Sequence, residues 1–185
     1  MKIIAVLGSP RERGNSATVA RRVVETAQAQ GAQADLYLLN RMAIKGCQGC
    51  NMCKTKQDHC VVEDDLAPVL EAIRTADALV MASPVYFGEI SGQLKGFFDR
   101  TYSFLNPDFS SRLVPGKKAV FILTQGQPDE SFYTDVFPRY DHWLKVYGFT
   151  DTTLIRAPGV QEAGEVAQRE AIMRQADAAA RRLMS

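Results

Sequence analysis

The sequence predicts a three-layer α/β/α sandwich around a five-stranded parallel sheet, and three observations predict it. Five short apolar or β-branched runs recur along the chain, helical patterns separate them, and the runs "IIAVL", "ALVMA" and "AVFIL" are apolar at every position instead of at alternate ones. A strand covered on both faces reads as a continuous apolar run, and strict strand–helix alternation implies parallel pairing with helices on both sides. Right-handed crossovers leave few topologies, and the order 2-1-3-4-5 is the common one at this length.

The first strand is expected over residues 2–7, followed by a helix over 16–30 that places Val19, Val23, Val24 and Ala27 on one stripe. A second strand (34–39) leads into a long irregular segment, 42–63. A helix then covers 65–75, with Leu66, Val69, Leu70 and Ile73 inward and Asp64 or Asp65 available as its N-cap. The third strand (78–82) is expected to stop at Ser83 and Pro84. The next helix, 93–104, carries Leu94, Phe97, Phe98 and Tyr102 on one face. A strand at 119–123, a helix at 132–147, a strand at 152–156 and a helix at 162–184 complete the pattern. With no repeat, linker or low-complexity stretch, residues 1–185 are expected to form one domain, with a loop insertion at about 42–63.

Charge and composition exclude several classes. Twenty-two Lys and Arg balance 21 Asp and Glu, a net charge of +1, so the basic excess of a dedicated nucleic-acid binder is missing. No apolar run approaches the length of a membrane span, and "MKIIAVLGSPRERGNS" lacks a cleavage site and reads as a first strand. The expected compartment is the cytoplasm, where thiols stay reduced, so clustered cysteines suggest metal or redox chemistry.

In sheets of this kind ligands bind outside the carboxyl ends of the strands, and three post-strand segments carry suitable groups. "GSPRERGNSATVARRV" crowds Ser9, Arg11, Asn15, Ser16 and Thr18 into a turn that opens a helix. Backbone N–H groups, hydroxyls and a positive helix end suit a phosphate. A plain N-cap at Asn15 or Ser16 is the alternative. Neither G-x-x-x-x-G-K-[ST] nor G-x-G-x-x-G is present, so a Mg-nucleotide P-loop and a dinucleotide fingerprint are set aside. After strand three, Pro84, Val85, Tyr86, Phe87 and Gly88 could wall a flat ring or could simply cover the core. After strand four, Thr124, Gln125 and Gly126 offer polar groups at the same sheet end, or a turn into the next helix.

Taken together, these segments resemble the flavodoxin-like FMN reductase family, NAD(P)H-dependent flavin enzymes related to quinone and azo-compound reductases, over most of the chain. The resemblance implies a flavodoxin-like fold. Ser9, Arg11, Asn15, Ser16 and Thr18 would hold the FMN phosphate, Pro84 to Gly88 would contact the ring, and Thr124, Gln125 and Gly126 would lie on its other edge. It also implies NAD(P)H as a transient donor, a quinone, flavin or carrier protein as acceptor, and a homo-oligomer, dimer or tetramer. Chemistry on a flavin needs no side-chain acid or base, so no catalytic residue is assigned.

All four cysteines stand in "GCQGCNMCKTKQDHC", as Cys47, Cys50, Cys53 and Cys60. The stretch resembles the compact motif of the iron–sulfur flavoproteins, which implies a [4Fe–4S] cluster on these four thiolates, with Lys45, Lys54 and Lys56 offsetting its charge. Three cysteines at i, i+3 and i+6 suit a tight loop around a cubane. Zinc is less suited, because its knuckles sit farther apart, and reduced or disulfide-bonded thiols remain the third reading. His59 reads as a solvated loop residue and His142 as a packing or surface residue of a helix. The expected function is an FMN-dependent oxidoreductase. The alternatives are a non-enzymatic iron–sulfur flavoprotein fed by ferredoxin and a phosphate-binding module without flavin. Electron carriers are typically acidic, and the near-neutral charge here argues against that class.

Overall fold

The computed structural model describes residues 1–185. In chain order the elements are β1 (Lys2–Leu7), α1 (Asn15–Gln28), β2 (Gln33–Leu38), α2 (Met52–Thr55), α3 (Ala67–Thr75), β3 (Ala78–Tyr86), β4 (Glu89–Ile90), α4 (Gly92–Arg100), β5 (Lys117–Thr124), α5 (Val136–Val146), β6 (Phe149–Ala157) and α6 (Glu170–Met184). The parallel sheet runs β2-β1-β3-β5-β6, the expected order, and β4 adds a short antiparallel pair at the end of β3.

The continuous apolar strands serve two cores. Successive side chains of a strand point to opposite faces. Ile4, Val6, Met81 and Phe121 pack with α3, α4 and α5 on one side. Ile3, Leu7, Val80 and Ile122 pack with α1 and α6 on the other. The order reverses between β1 and β3: from β1 the chain first crosses to β2 and later returns to β3 on the opposite side. That reversal opens a crevice at the carboxyl ends of β1 and β3.

Three local expectations need correction. First, β3 continues through Ser83 and Pro84 to Tyr86, in register with Leu123 and Thr124 of β5, because proline's missing N–H is tolerated where a ladder is ending. Second, the helix expected from residue 132 begins only at Val136: Arg156 donates to the carbonyls of Glu130 and Phe132, which ties that segment to β6. Third, the helix expected from 162 is replaced by a loop and a 3-10 turn, Glu165–Gln168, before α6.

A buried serine locks the loops after β1 and β3 together. The Ser91 hydroxyl caps α4 by accepting from the Leu94 N–H (3.3 Å) and donates to the Gly8 carbonyl (2.7 Å). The Ser91 N–H donates to the Ser83 hydroxyl at 2.8 Å. Gly8 has no room for a side chain, since a Cβ there would lie 2.6 Å from Leu94 Cβ. Replacing Ser91 by alanine is expected to cost about 1–2 kcal/mol of stability, measured by urea unfolding, through loss of the cap.

Candidate functional site

At the carboxyl ends of β1, β3 and β5 lies a cleft of about 230 Å³. Ser9, Arg11, Asn15 and Ser16 border it on one side, Pro84, Val85 and Tyr86 on another, and Thr124 and Gly126 on a third. The fold therefore brings together all three segments singled out in the sequence. Thr18, Phe87, Gly88 and Gln125 do not border the cleft. The Thr18 hydroxyl donates back to the carbonyl of Gly14, the residue before α1. Gln125 is buried, donates to the carbonyls of Gln127 and Asp129, and accepts from Arg156, so it shapes its loop from beneath. Phe87 and Gly88 form the turn between β3 and β4.

The phosphate-like end of the cleft is the N-terminus of α1. The residue before the helix is Gly14, no side chain caps the first turn and no carboxylate stands in it. The first N–H groups of a helix lack intrahelical partners, and the helix dipole is positive there. Ser16 borders the cleft, and its hydroxyl is buried with no hydrogen-bond partner. A buried polar group left unpaired is costly, so such a group points to a missing partner. An anion with several acceptor oxygens supplies one, and the FMN phosphate therefore fits this end. Asn15, by contrast, uses its side chain to hold the fold: its amide donates to the Glu162 carbonyl and accepts from the Val166 N–H. Gly14 is needed for close approach, since a Cβ would sit 2.6 Å from Ser9 Oγ.

A fourth wall was not anticipated. Val160 and Gln161, from the loop after β6, border the cleft. The Gln161 carbonyl accepts from Arg11 at 3.1 Å, and the Val160 N–H donates to the Gln125 carbonyl. The available signal is "APGVQEAGE", a turn-rich polar stretch after the last strand whose residues 157–161 lie between the expected strand and the expected final helix.

The cysteine loop is a separate structure. Its four cysteines are free thiols, Cys47 and Cys50 exposed, Cys53 and Cys60 half-buried. Three cations bind this loop into the molecule through backbone carbonyls. Lys54 donates to the carbonyls of Tyr102 and Leu105. Arg112 donates to Cys53 and Asp58. Fully buried Arg100 donates to the carbonyls of Lys45 and Val62 and pairs with the Asp64 carboxylate at 2.5 Å. Asp64 also accepts from the N–H groups of Lys45 and Leu66, so its carboxylate organises the entry to α3. Burial pushes the Cys53 thiol up, against the opposing effect of the Lys54 ammonium.

This geometry overturns the expected [4Fe–4S] cluster. No group of three or more Cys, His, Asp or Glu side chains is gathered so as to hold a metal ion. The cavity that all four cysteines share is small, about 50 Å³, room for a few waters. Lys54 is already engaged with carbonyls, and Cys47 and Cys50 are exposed to solvent. The same finding removes Cys47, Cys50, Cys53 and Cys60 as zinc ligands.

Comparison with known proteins places the chain. A family model described as NADPH-dependent FMN reductase matches residues 1–133. The chain is 34% identical over 148 residues to an iron-sulfur flavoprotein of Methanosarcina thermophila, covering 80% of this chain and 75% of that one. Among solved structures, it resembles an FMN-dependent NADH-azoreductase from Bacillus anthracis in complex with FMN, with a TM-score of 0.76 at 17% identity over 100% of both chains. It also resembles an NAD(P)H:quinone oxidoreductase from Methanothermobacter marburgensis, with a TM-score of 0.76 at 20% identity, covering 100% of this chain and 98% of the other. At that identity the two structures speak for the fold. With nearly three quarters of its length matched by one family model, and with that family's fold built around an anion-ready helix end, the chain belongs to the NADPH-dependent FMN reductase family.

Proposed function

We propose that this chain is an FMN-dependent oxidoreductase that passes electrons from NAD(P)H to a flavin- or quinone-type acceptor. The observation that carries the reading is the uncapped start of α1, with the unpartnered Ser16 hydroxyl, beside a cleft walled by the loops that follow the strands. In this reading Ser9, Arg11, Ser16 and the first N–H groups of α1 hold the phosphate. Pro84, Val85 and Tyr86 flank the ring, and Thr124 and Gly126 meet its polar edge. Bound FMN supplies the hydride and electron chemistry.

The chain's own residues bind and orient. Asn15 ties α1 to the 162–166 segment, and Arg156 with Gln125 fixes the loop that carries Gly126. The Ser83–Ser91–Gly8 bonds fix the distance between phosphate loop and hairpin. The reading includes a single FMN-binding domain over 1–185 and a cytoplasmic homo-oligomer, supported by the four free thiols and by an apolar groove bordered by Phe98, Tyr102, Leu105 and Trp143. No helix is long and apolar enough to cross a membrane.

The test is a titration of apoprotein with FMN followed by an assay of NADPH and NADH oxidation with a quinone acceptor. Stoichiometric flavin binding and nucleotide-dependent turnover are expected. A protein that binds no flavin, or that binds it without oxidising either nucleotide, overturns the reading.

A further inference from the structure

The loop after β6 supplies the fourth wall of the cleft, and its backbone is held from several directions. The Gly159 and Val160 N–H groups donate to the carbonyls of Gln127 and Gln125. Arg169 donates to the Gly159 carbonyl, and Asn15 to that of Glu162. The Glu165 carboxylate accepts from the N–H groups of Gln161 (3.2 Å) and Glu162 (2.8 Å). The main chain at Gln161 is therefore fixed without help from its own side chain.

That side chain is uncommitted. Gln161 is exposed and borders the cleft. Its Nε2 reaches the Gly126 carbonyl only at 3.5 Å, the outer limit of hydrogen bonding, and its Oε1 accepts from no group of the chain. Its Cγ lies against Gly126, where a Cβ would be 3.1 Å away. Gln161 so links two sides of the cleft: its carbonyl meets Arg11 beside α1, and its side chain meets Gly126 after β5. A side chain left free on a backbone fixed by other bonds is what a binding group requires.

We infer that the Gln161 side chain is a further flavin-binding residue, whose amide pairs with the imide edge of the ring beside Gly126. This rests on the function proposed above, in which Arg11 takes the phosphate and Gly126 meets the polar edge. That edge carries a ring N–H between two carbonyls. A primary amide carries a donor beside an acceptor, so the two match at two points. Reduction adds electron density to the ring carbonyls, and a hydrogen bond to a charged acceptor is about twice as strong as one to a neutral acceptor. Gln161 therefore holds reduced flavin more tightly than oxidised flavin.

The informative substitution is Gln161→Leu, which keeps the bulk and removes both polar atoms. The apoprotein should melt at the wild-type temperature, since the side chain makes one long bond. Its Kd for oxidised FMN, from a fluorescence titration, should rise about tenfold. The Kd of inorganic phosphate, from competition with FMN, should not change. Reduced flavin should lose about tenfold more affinity than oxidised flavin, which lowers the two-electron midpoint potential of the holoprotein by about 30 mV. Gln161→Glu, which keeps the shape but lacks the N–H donor, should lower the potential at least as far. An unchanged FMN Kd, or a potential at or above wild type in either variant, overturns the inference. So does an equal loss of phosphate binding, which would place the effect at the α1 end, or a lower apoprotein melting temperature, which would show that the side chain builds the loop. Failure of the wild-type protein to bind FMN is a different result and overturns the proposed function instead.

Discussion

Asp64→Asn is expected to lower the free energy of unfolding by about 3–5 kcal/mol, because it strips the counter-charge from a guanidinium that has no access to water. Arg100 is 1% exposed, and its Nε already lacks a partner. The Asp64 carboxylate is its only charged neighbour at bonding distance, at 2.5 Å. An uncompensated buried charge costs far more than the pair contributes, so replacing both partners together, Asp64→Leu with Arg100→Met, should cost much less than Asp64→Asn alone. Urea unfolding at pH 7 measures both, and equal losses in the two variants would show that the pair acts through packing alone.

The same carboxylate carries a pH dependence. Burial acts to raise the Asp64 carboxyl, but the Arg100 guanidinium and the Lys45 and Leu66 N–H groups overcome it and hold it below the ordinary aspartate range. Its folded value therefore lies below its unfolded value of about 3.9. The stability it contributes is complete above that unfolded value and is lost as pH falls through the folded one. Wild type should lose stability over that acid window, and Asp64→Asn should lack this part of the loss.

Ser16→Ala is expected to act in opposite directions on the empty and the flavin-bound protein. Without ligand it removes a buried hydroxyl that has no partner, so stability should hold or rise by about 1 kcal/mol. With FMN it removes a hydrogen bond to a charged phosphate, worth about 1.5–3 kcal/mol, or roughly a ten- to hundredfold loss of affinity. Thermal melts of apoprotein and a flavin-fluorescence titration read the two effects separately. A destabilised apoprotein with unchanged FMN affinity would show the hydroxyl to be part of the core and not of the phosphate site.

The parallel sheet was legible because the runs 3–7 of β1, 78–82 of β3 and 119–123 of β5 are apolar at every position, and burial on two faces requires that. Three walls of the cleft were legible because their segments follow strands directly. The errors share one cause. Where long-range side-chain bonds set the backbone, as Arg156 does at 130–132 or Asn15 at 162–166, periodicity promised helix and the chain formed loop. The hairpin was missed because Pro84 reads locally as a strand stop.

The cysteine loop marks the same boundary most clearly. Spacing along a sequence states which thiols could share a ligand, not how the loop is arranged once Arg100 and Arg112 hold its carbonyls and Lys54 reaches from it to the Tyr102 and Leu105 carbonyls. The amino-acid order alone determined the layering, the sheet topology and the end of the sheet that binds, since these follow from periodic burial and chain connectivity. Tertiary structure alone decided which hydroxyl lacks a partner, that the loop after β6 walls the cleft, and that the four cysteines form no metal-holding group. Those depend on contacts between residues far apart in the chain, such as Arg11 with Gln161, and no local pattern encodes them.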